Sequence, residues 1–325
     1  MYAIICEQFG SPEKLKFKKT SLSPLKDFEV MIDTHSAGVN FPDVLIIQNK
    51  YQFTPKLPFI PGNELSGVVI AIGTKVSKFN LGDRVFAYVP HGAFAENVIL
   101  SEDSLILMRR NMDFDSAAAL TLAFGTSYHS LVHRAQLKKN ESLLVLGAAG
   151  GVGLAAIQIG KELGARVIAA ASTNEKLELC SEHGADELIN YNKDNLRNTL
   201  KEKYKEGIDV IFDPVGGSLT ELAFRSISWK GRFLVIGFAN GEIPKLPLNL
   251  PLLKGASVVG VFWGEFIKRQ PMIHLQAMEQ LMNWYEHGKI KPFISKKYEL
   301  KETPKALLNM SSRNATGKII IKIKS

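Results

Sequence analysis

The chain has 325 residues, 46% of them hydrophobic and 22% charged, which excludes a disordered or fibrous protein and suggests about two globular domains. Its two cysteines, Cys6 and Cys180, have no C-x-x-C neighbour, too few ligands for a disulfide framework or a thiolate zinc site, and no apolar run reaches the ~18 residues of a membrane span. The net charge of +8 is scattered without aromatic residues interleaved in a basic run, which argues against nucleic acid as a partner, and the expectation is a cytoplasmic protein away from membranes.

Along the first ~120 residues, short strands alternate with turn signals. Phe28 to Ala37 alternates in polarity, Leu65 to Ile72 is apolar, Gly73-Thr74 and Leu81-Gly82-Asp83 read as turns, and Arg84 to Val89 and Ala93 to Leu100 resume the strand pattern. From about Glu141 the rhythm changes. Strands are predicted at Ser142–Leu146, Arg166–Ala171, Glu187–Tyr191, Asp209–Phe212, Arg232–Gly237 and Ser257–Val261. Helices are predicted near Val152–Leu163, Asn174–Glu182, Asp194–Tyr204 and Leu219–Ser228, with a last one over Pro271–Glu286. Strand and helix in alternation imply a doubly wound parallel sheet, an α/β class. Tyr298 to the C-terminus returns to short strands that close back on the first domain. The expected boundaries are residues 1–121 with 288–325 for the mostly β domain and 122–287 for the α/β domain.

The stretch Gly147-Ala148-Ala149-Gly150-Gly151-Val152-Gly153 runs from an apolar strand into an amphipathic helix. Glycines at such a turn let the backbone approach a pyrophosphate, whose charge is held by the amides and dipole of the helix N-terminus. The spacing is A-x-G-x-x-G, with Ala148 at the first glycine position. The second strand ends Ala171-Ser172-Thr173-Asn174-Glu175-Lys176, small residues standing where an NAD-binding acid would sit. A 2′-phosphate is therefore not repelled, Ser172 and Lys176 can pair with it, and NADPH is the expected coenzyme.

Six segments in order then resemble the medium-chain dehydrogenase/reductase superfamily: Ala37 to Asp43, Pro61 to Gly67, the Gly82-Asp83-Arg84 turn, Ala149 to Gly153, Phe212 to Gly217, and Ala315 to Ile319. The resemblance implies a GroES-like catalytic domain and a Rossmann domain. In the similar zinc alcohol dehydrogenases a cysteine stands at Asn40 and a histidine at Asn63, and the cysteine-rich lobe for structural zinc has no counterpart. The zinc-free NADPH:quinone oxidoreductase, zeta-crystallin-like, branch resembles the chain best, so no metal site is expected. That branch implies coenzyme contacts at Thr126, Ala149, Gly150, Gly151, Val152, Gly153, Ser172, Lys176, Tyr191, Gly237, Phe238, Phe262, Trp263 and Arg313.

Without a metal, negative charge arising on the acceptor's oxygen must be met by hydrogen-bond donors. Asn40 offers an amide, and Asp43 and Tyr51, on the loop that follows, match site positions in the branch. Such donors favour a quinone or an α,β-unsaturated carbonyl, and the expected activity is NADPH-dependent reduction of one of these. Alternatives are an alkenal or enoyl-thioester reductase and, from another class, an NADPH-binding regulatory or RNA-binding protein. Glu64 reads as a structural hydrogen-bond or salt-bridge partner, and Tyr128 and His129 as packing residues. The apolar run Ser257–Val261 forms a late edge strand, and an unpaired apolar edge implies a homodimer.

Overall fold

The computed structural model describes residues 1–312 and 315–324, and the chain divides into two compact units, Met1–Leu122 with Pro292–Ser325 and Ala123–Lys291. The first unit begins with strands β1 (Tyr2–Ile5), β2 (Lys16–Lys19), β3 (Glu29–Val39), β4 (Glu64–Ile72), β5 (Arg84–Tyr88), β6 (Asn97–Ser101) and β7 (Leu105–Leu107). The second holds β8 (Ser142–Leu146), β9 (Arg166–Ala171), β10 (Glu187–Asn190), β11 (Ile208–Asp213), β12 (Ile227–Val235) and β13 (Ser257–Gly260). The chain then returns to the first unit with β14 (Ile294–Glu299) and β15 (Lys318–Lys322).

In the first unit the strands run in the order β14-β15-β3-β4-β5-β7, with β6 also paired to β3. The alternation read from Phe28 onward is the alternating burial of β3, whose inward residues join a core that includes Val30, Ile32, Leu65, Val85 and Ile319. Two elements differ from the sequence reading. Residues after Asn40, read as a loop, form the helix Phe41–Ile47, begun by Pro42 and by the Asp43 carboxylate accepting the Asn40 backbone N–H at 2.8 Å. The C-terminal segment, read as short strands only, carries the helix Thr303–Ser311 between β14 and β15. These strands are parallel, so no tight hairpin can join them and a crossover is required.

The second unit is a parallel sheet in the order β10-β9-β8-β11-β12-β13, the doubly wound arrangement expected. Apolar runs at β8 and β11 are buried because helices cover both faces of a parallel sheet. The helix predicted to Ser228 ends at Phe224, and β12 begins at Ile227 rather than Arg232. A register irregularity opposite Ile208 and Val210 pushes out the 228–231 segment, with Lys230 at φ +60°, and leaves Trp229 exposed. A further helix, Trp263–Arg269, occupies a stretch to which the sequence reading assigned no element.

The turn from β8 into the helix Gly151–Glu162 is tight. A Cβ on Gly153 would lie 2.5 Å from the Ala148 carbonyl oxygen, backbone that cannot swing aside. Gly153→Ala is expected to destabilise the protein by about 1–3 kcal/mol. The midpoint of urea or thermal unfolding measures this, and an unchanged midpoint would show slack in the turn.

Candidate active site

Because the strands of the second unit are parallel, their carboxyl ends share one edge, and the sequence-derived coenzyme residues fall along it. After β8 comes the glycine turn, where Gly147 takes φ +56° and the Gly150 N–H donates to the Gly147 carbonyl at 3.1 Å. A Cβ on Gly150 would meet only the Gly147 carbonyl oxygen, at 3.4 Å, so the other side of the turn is open. The first N–H groups of the twelve-residue helix Gly151–Glu162 have no intrahelical acceptor and carry the positive end of its dipole. An open glycine cradle on a helix N-terminus fits a dinucleotide's diphosphate. Ser127 donates to the Val152 carbonyl at 2.8 Å, which ties the segment carrying Thr126 to the same turn.

At the ends of β9 and β10 three side chains converge. The Lys176 Nζ donates to Ser172 Oγ at 3.4 Å, and Ser172 also hydrogen-bonds Tyr191, whose phenol burial pushes above its ordinary pKa. Thr173 caps the helix that begins at Asn174 and so places Lys176 in its first turn. Glu175, the acid nearest this group in sequence, is exposed with its carboxylate on Thr173. A cavity of about 390 Å³, lined in part by Tyr191, Asn195, Leu196, Arg197 and Leu219, adjoins the Tyr191 end.

The end of β11 is organised by Asp213, which the sequence reading passed over. Its carboxylate accepts the Val215 and Gly216 N–H groups at 2.8 and 2.9 Å and the Thr220 hydroxyl at 2.5 Å. The Asp213 carbonyl accepts from Ile236 and Gly237, which pins the Gly237-Phe238 segment beside this turn. Phe262 is exposed, whereas the Trp263 indole is buried against Gly125 and His274 and serves packing. His129 stacks on Phe266 at 3.9 Å, and burial lowers its pKa to about 4, so it too is a packing residue. Arg313 lies outside the described residues.

The first unit carries a separate polar cluster. Asn40, Asp43, Asn63, Glu64 and Lys318 are all buried. Lys318 donates to Asn40 Oδ1 at 2.6 Å and forms an ion pair with Glu64 Oε1. Asn40 Nδ2 donates to Glu64 Oε1 at 2.7 Å and to Asn63 Oδ1 at 2.9 Å, and Glu64 Oε2 accepts the Leu122 N–H at 2.9 Å. Glu64 is thus the structural partner expected. The reading of Asn40 as donor to an acceptor is corrected: both of its amide hydrogens are already engaged. Breaking a buried ion pair such as Lys318 with Glu64 costs about 3–5 kcal/mol, because a lone charge stays behind.

Around this core stand three acids of different kinds. Asp43 has its pKa pushed up to about 8, first by burial and further by Glu64, against lowering by the Asn40 N–H and by Lys318. Its Oδ1 is buried with no partner among the described residues, as suits a protonated carboxyl. Tyr51 and Tyr88 are raised by burial and then by acidic neighbours that include Asp43, so both remain phenols. Tyr88 and Lys318 escaped the sequence reading. A lysine opening the otherwise apolar strand Lys318-Ile319-Ile320-Ile321 was the available signal, since a buried ammonium needs a carboxylate.

Comparison with known proteins agrees with this architecture. The alcohol dehydrogenase GroES-like domain model matches residues 26–110, and the zinc-binding dehydrogenase model matches residues 151–282. The chain is 36% identical to quinone oxidoreductase-like protein 2 homolog of Nematostella vectensis, covering 99% of this chain and 89% of that protein. It is 33% identical to Homo sapiens quinone oxidoreductase, covering 99% and 97%. The structure of Escherichia coli quinone oxidoreductase complexed with NADPH superposes with a TM-score of 0.92 at 26% identity, over 99% of this chain and 100% of that one.

The shift of Asp43 has a consequence for stability. A folded-state pKa of about 8, above its ordinary value, makes the fold bind a proton that the unfolded chain releases. Stability from this group is full at acid pH and is lost as pH rises through about 8. The melting temperature of the wild type is therefore expected to fall from pH 6 to pH 9 more steeply than that of Asp43→Asn, and parallel curves in thermal melts would contradict it.

Proposed function

Because the chain belongs to the medium-chain dehydrogenase/reductase superfamily, in its quinone oxidoreductase branch, and is an oxidoreductase of the NADPH type, we propose that it reduces a quinone or an α,β-unsaturated carbonyl with NADPH and without zinc. The observation that carries the reading is the phosphate-ready group of the second unit, Ser172 with Lys176 and Tyr191.

The glycine turn from Ala149 to Gly153 takes the diphosphate, Ser172 and Lys176 take the 2′-phosphate, and Tyr191 flanks the adenosine. Thr126, Gly237, Phe238 and Phe262 line the path of the nicotinamide half, the last three from the ends of the later strands. Bound there, the reduced nicotinamide supplies a hydride. The polar cluster of the first unit supplies donors: Tyr51 as a phenol and Asp43 as a protonated carboxyl, both held in those forms by burial.

Zinc does not fit this donor set. Asn40 and Asn63 are carboxamides, poor ligands beside thiolate and imidazole, and Glu64 already spends its charge on the Lys318 ammonium. Among the described residues, no helix is long and apolar enough to cross a membrane.

The second unit also ends in an exposed apolar edge. Among the described residues β13 pairs only with β12, Val258 is exposed, and Trp229, Leu252 and Leu253 are 67%, 78% and 70% exposed. The Trp229 ring lies 3.2 Å from where a Cβ on Gly255 would be, at the C-cap of the helix Asn249–Lys254 that carries Leu252 and Leu253. A patch of this kind suits a homodimer paired through β13.

Two measurements test the reading. Lys176→Ala is expected to raise the KM for NADPH about 10- to 100-fold, the worth of a charge-assisted phosphate contact, and to leave the KM for NADH unchanged. Assays against quinones, enones and alkenals report both the coenzyme preference and the acceptor class; equal loss with both coenzymes would remove the phosphate assignment. Light scattering is expected to give a dimer for the wild type and a monomer for Leu252→Asp, and a monomeric wild type would remove the dimer.

A further inference from the structure

We infer that Asn190 is a positioning residue for coenzyme choice: its side chain ties the ends of β9 and β10 together, so that Lys176 faces a 2′-phosphate while Glu175 is turned to other partners. The inference rests on the proposed use of NADPH and concerns the second unit alone. It adds residues that the group of Ser172, Lys176 and Tyr191 leaves out.

An adenosine ribose that carries a 2′-phosphate differs from one without it by roughly two negative charges, so selectivity depends on where nearby charges stand. Glu175 and Lys176 are opposite charges on neighbouring residues in the first turn of the helix Asn174–Glu182. Adjacent helix positions lie about 100° apart around the axis, so a rotation of this turn trades attraction for repulsion. Something must fix the turn.

Asn190 ends β10 opposite Ala171, the last residue of β9, and is buried. Its carboxamide has one orientation consistent with its partners. The Asn192 N–H donates to it at 3.2 Å, so the atom met there is Oδ1. Nδ2 then donates to Asn174 Oδ1 at 2.7 Å, on the first residue of the helix. The backbone of Asn190 is used as fully. Its carbonyl accepts the Lys193 and Asp194 N–H groups at 3.0 and 2.7 Å, and its N–H donates to Asp194 Oδ2 at 3.3 Å. One residue thus shapes the turn from Tyr191 to Asp194 and fastens it to the start of the helix.

Both sides of this fastening bear on the phosphate group. On one side the Tyr191 N–H donates to the Ala171 carbonyl at 3.1 Å, and the Tyr191 phenol meets Ser172. On the other the Thr173 hydroxyl accepts the Lys176 N–H at 3.3 Å and donates to the Glu175 carboxylate. Glu175 is held below the usual carboxylate range, first by Thr173, then by its own backbone N–H, and also by Lys193 of the fastened turn. The acid is therefore ionised but engaged, and Lys176 is the charge turned toward Ser172. Without the link from Asn190 to Asn174, the turn with Lys193 parts from the helix, and Glu175 is left to repel a phosphate.

The experiment titrates the wild type, Asn174→Ala and Asn190→Ala with adenosine 2′,5′-bisphosphate and with 5′-AMP by calorimetry, two nucleotides that differ only in the 2′-phosphate. Each variant is expected to bind the bisphosphate about 10-fold more weakly and 5′-AMP within about twofold of wild type, the effect of one misplaced charge-assisted contact. Asn174 is exposed, so Asn174→Ala carries the test where Asn190→Ala does not fold. Adding Glu175→Gln to Asn174→Ala is expected to restore bisphosphate binding to within about threefold of wild type, a rescue that lost packing would not show. Asn174→Ala with Lys176→Ala is expected to bind no more weakly than Lys176→Ala alone, because an absent ammonium cannot be misplaced. Equal weakening of both nucleotides, or no weakening in either variant, overturns the inference. Failure of Glu175→Gln to restore binding overturns the part given to Glu175, and additive losses with Lys176→Ala overturn the orienting of Lys176. A wild type that binds the two nucleotides equally defeats the proposed use of NADPH instead, so the two failures are told apart.

Discussion

A buried ammonium is the constraint around which the first unit is arranged. Lys318 stands at the start of β15, and its partners lie 254 and 278 residues earlier in the chain, on Glu64 and Asn40. β3 runs between β15 and β4, pairing Ile320 with Gly38 on one side and Gly38 with Glu64 on the other. The missing side chain at Gly38 is what lets a lysine and a glutamate from the flanking strands meet over the middle one. Taking both charges out of water costs several kcal/mol per ion, and the pair persists only because further donors complete the carboxylate. Asn40 and the Leu122 N–H are those donors, so β15, the end of β3 and the backbone at Leu122 are held to one another by a single carboxylate.

In the second unit the corresponding constraint is strand direction. Parallel strands bring every βα turn to one edge, and the polar groups that shape that edge belong to the backbone as much as to side chains. Asp213 shows this: it spends its carboxylate on two N–H groups and a hydroxyl of its own turn, and so fixes the Gly216-Gly217 bend and the neighbouring Gly237 segment. On the proposed reading, function at this edge follows from positions along the sheet, with few residues reserved for one task. The exception is the Ser172, Lys176 and Tyr191 group, whose members come from two adjacent strand ends and meet only in the folded chain.

What was legible in the sequence follows the same division. Periodicity and glycine placement located β8, β9 and the helix Asn174–Glu182 to the residue, because apolar runs and caps are local signals. The helix Phe41–Ile47 was hidden, although Asn40 and Asp43 stand at capping-box spacing, because Pro42 reads first as a breaker. The helix Thr303–Ser311 was hidden because its necessity comes from the parallel pairing of β14 with β15, a fact of topology rather than composition. The site divided similarly. Asn40, Asp43 and Tyr51 were visible as chemically able residues, but the engagement of both Asn40 hydrogens depends on Lys318, far away in sequence, and that lysine looked like part of a solvated tail.

A fixed ammonium also limits the chemistry the site can perform. A bound zinc ion polarises a carbonyl as a Lewis acid and can be worth several kcal/mol in the transition state. An ammonium locked into a carboxylate and a carboxamide has little field left to offer, since its charge is neutralised at hydrogen-bond distance. What remains are neutral donors, each of which contributes less than an ionic one. On the proposed reading the acceptor must therefore share the work by spreading its own negative charge. Quinones and conjugated carbonyls do this through their π systems, whereas a simple ketone concentrates the charge on one oxygen. On that proposed reading, an ammonium in place of a metal narrows the substrate class by electrostatics alone, before the shape of any pocket enters.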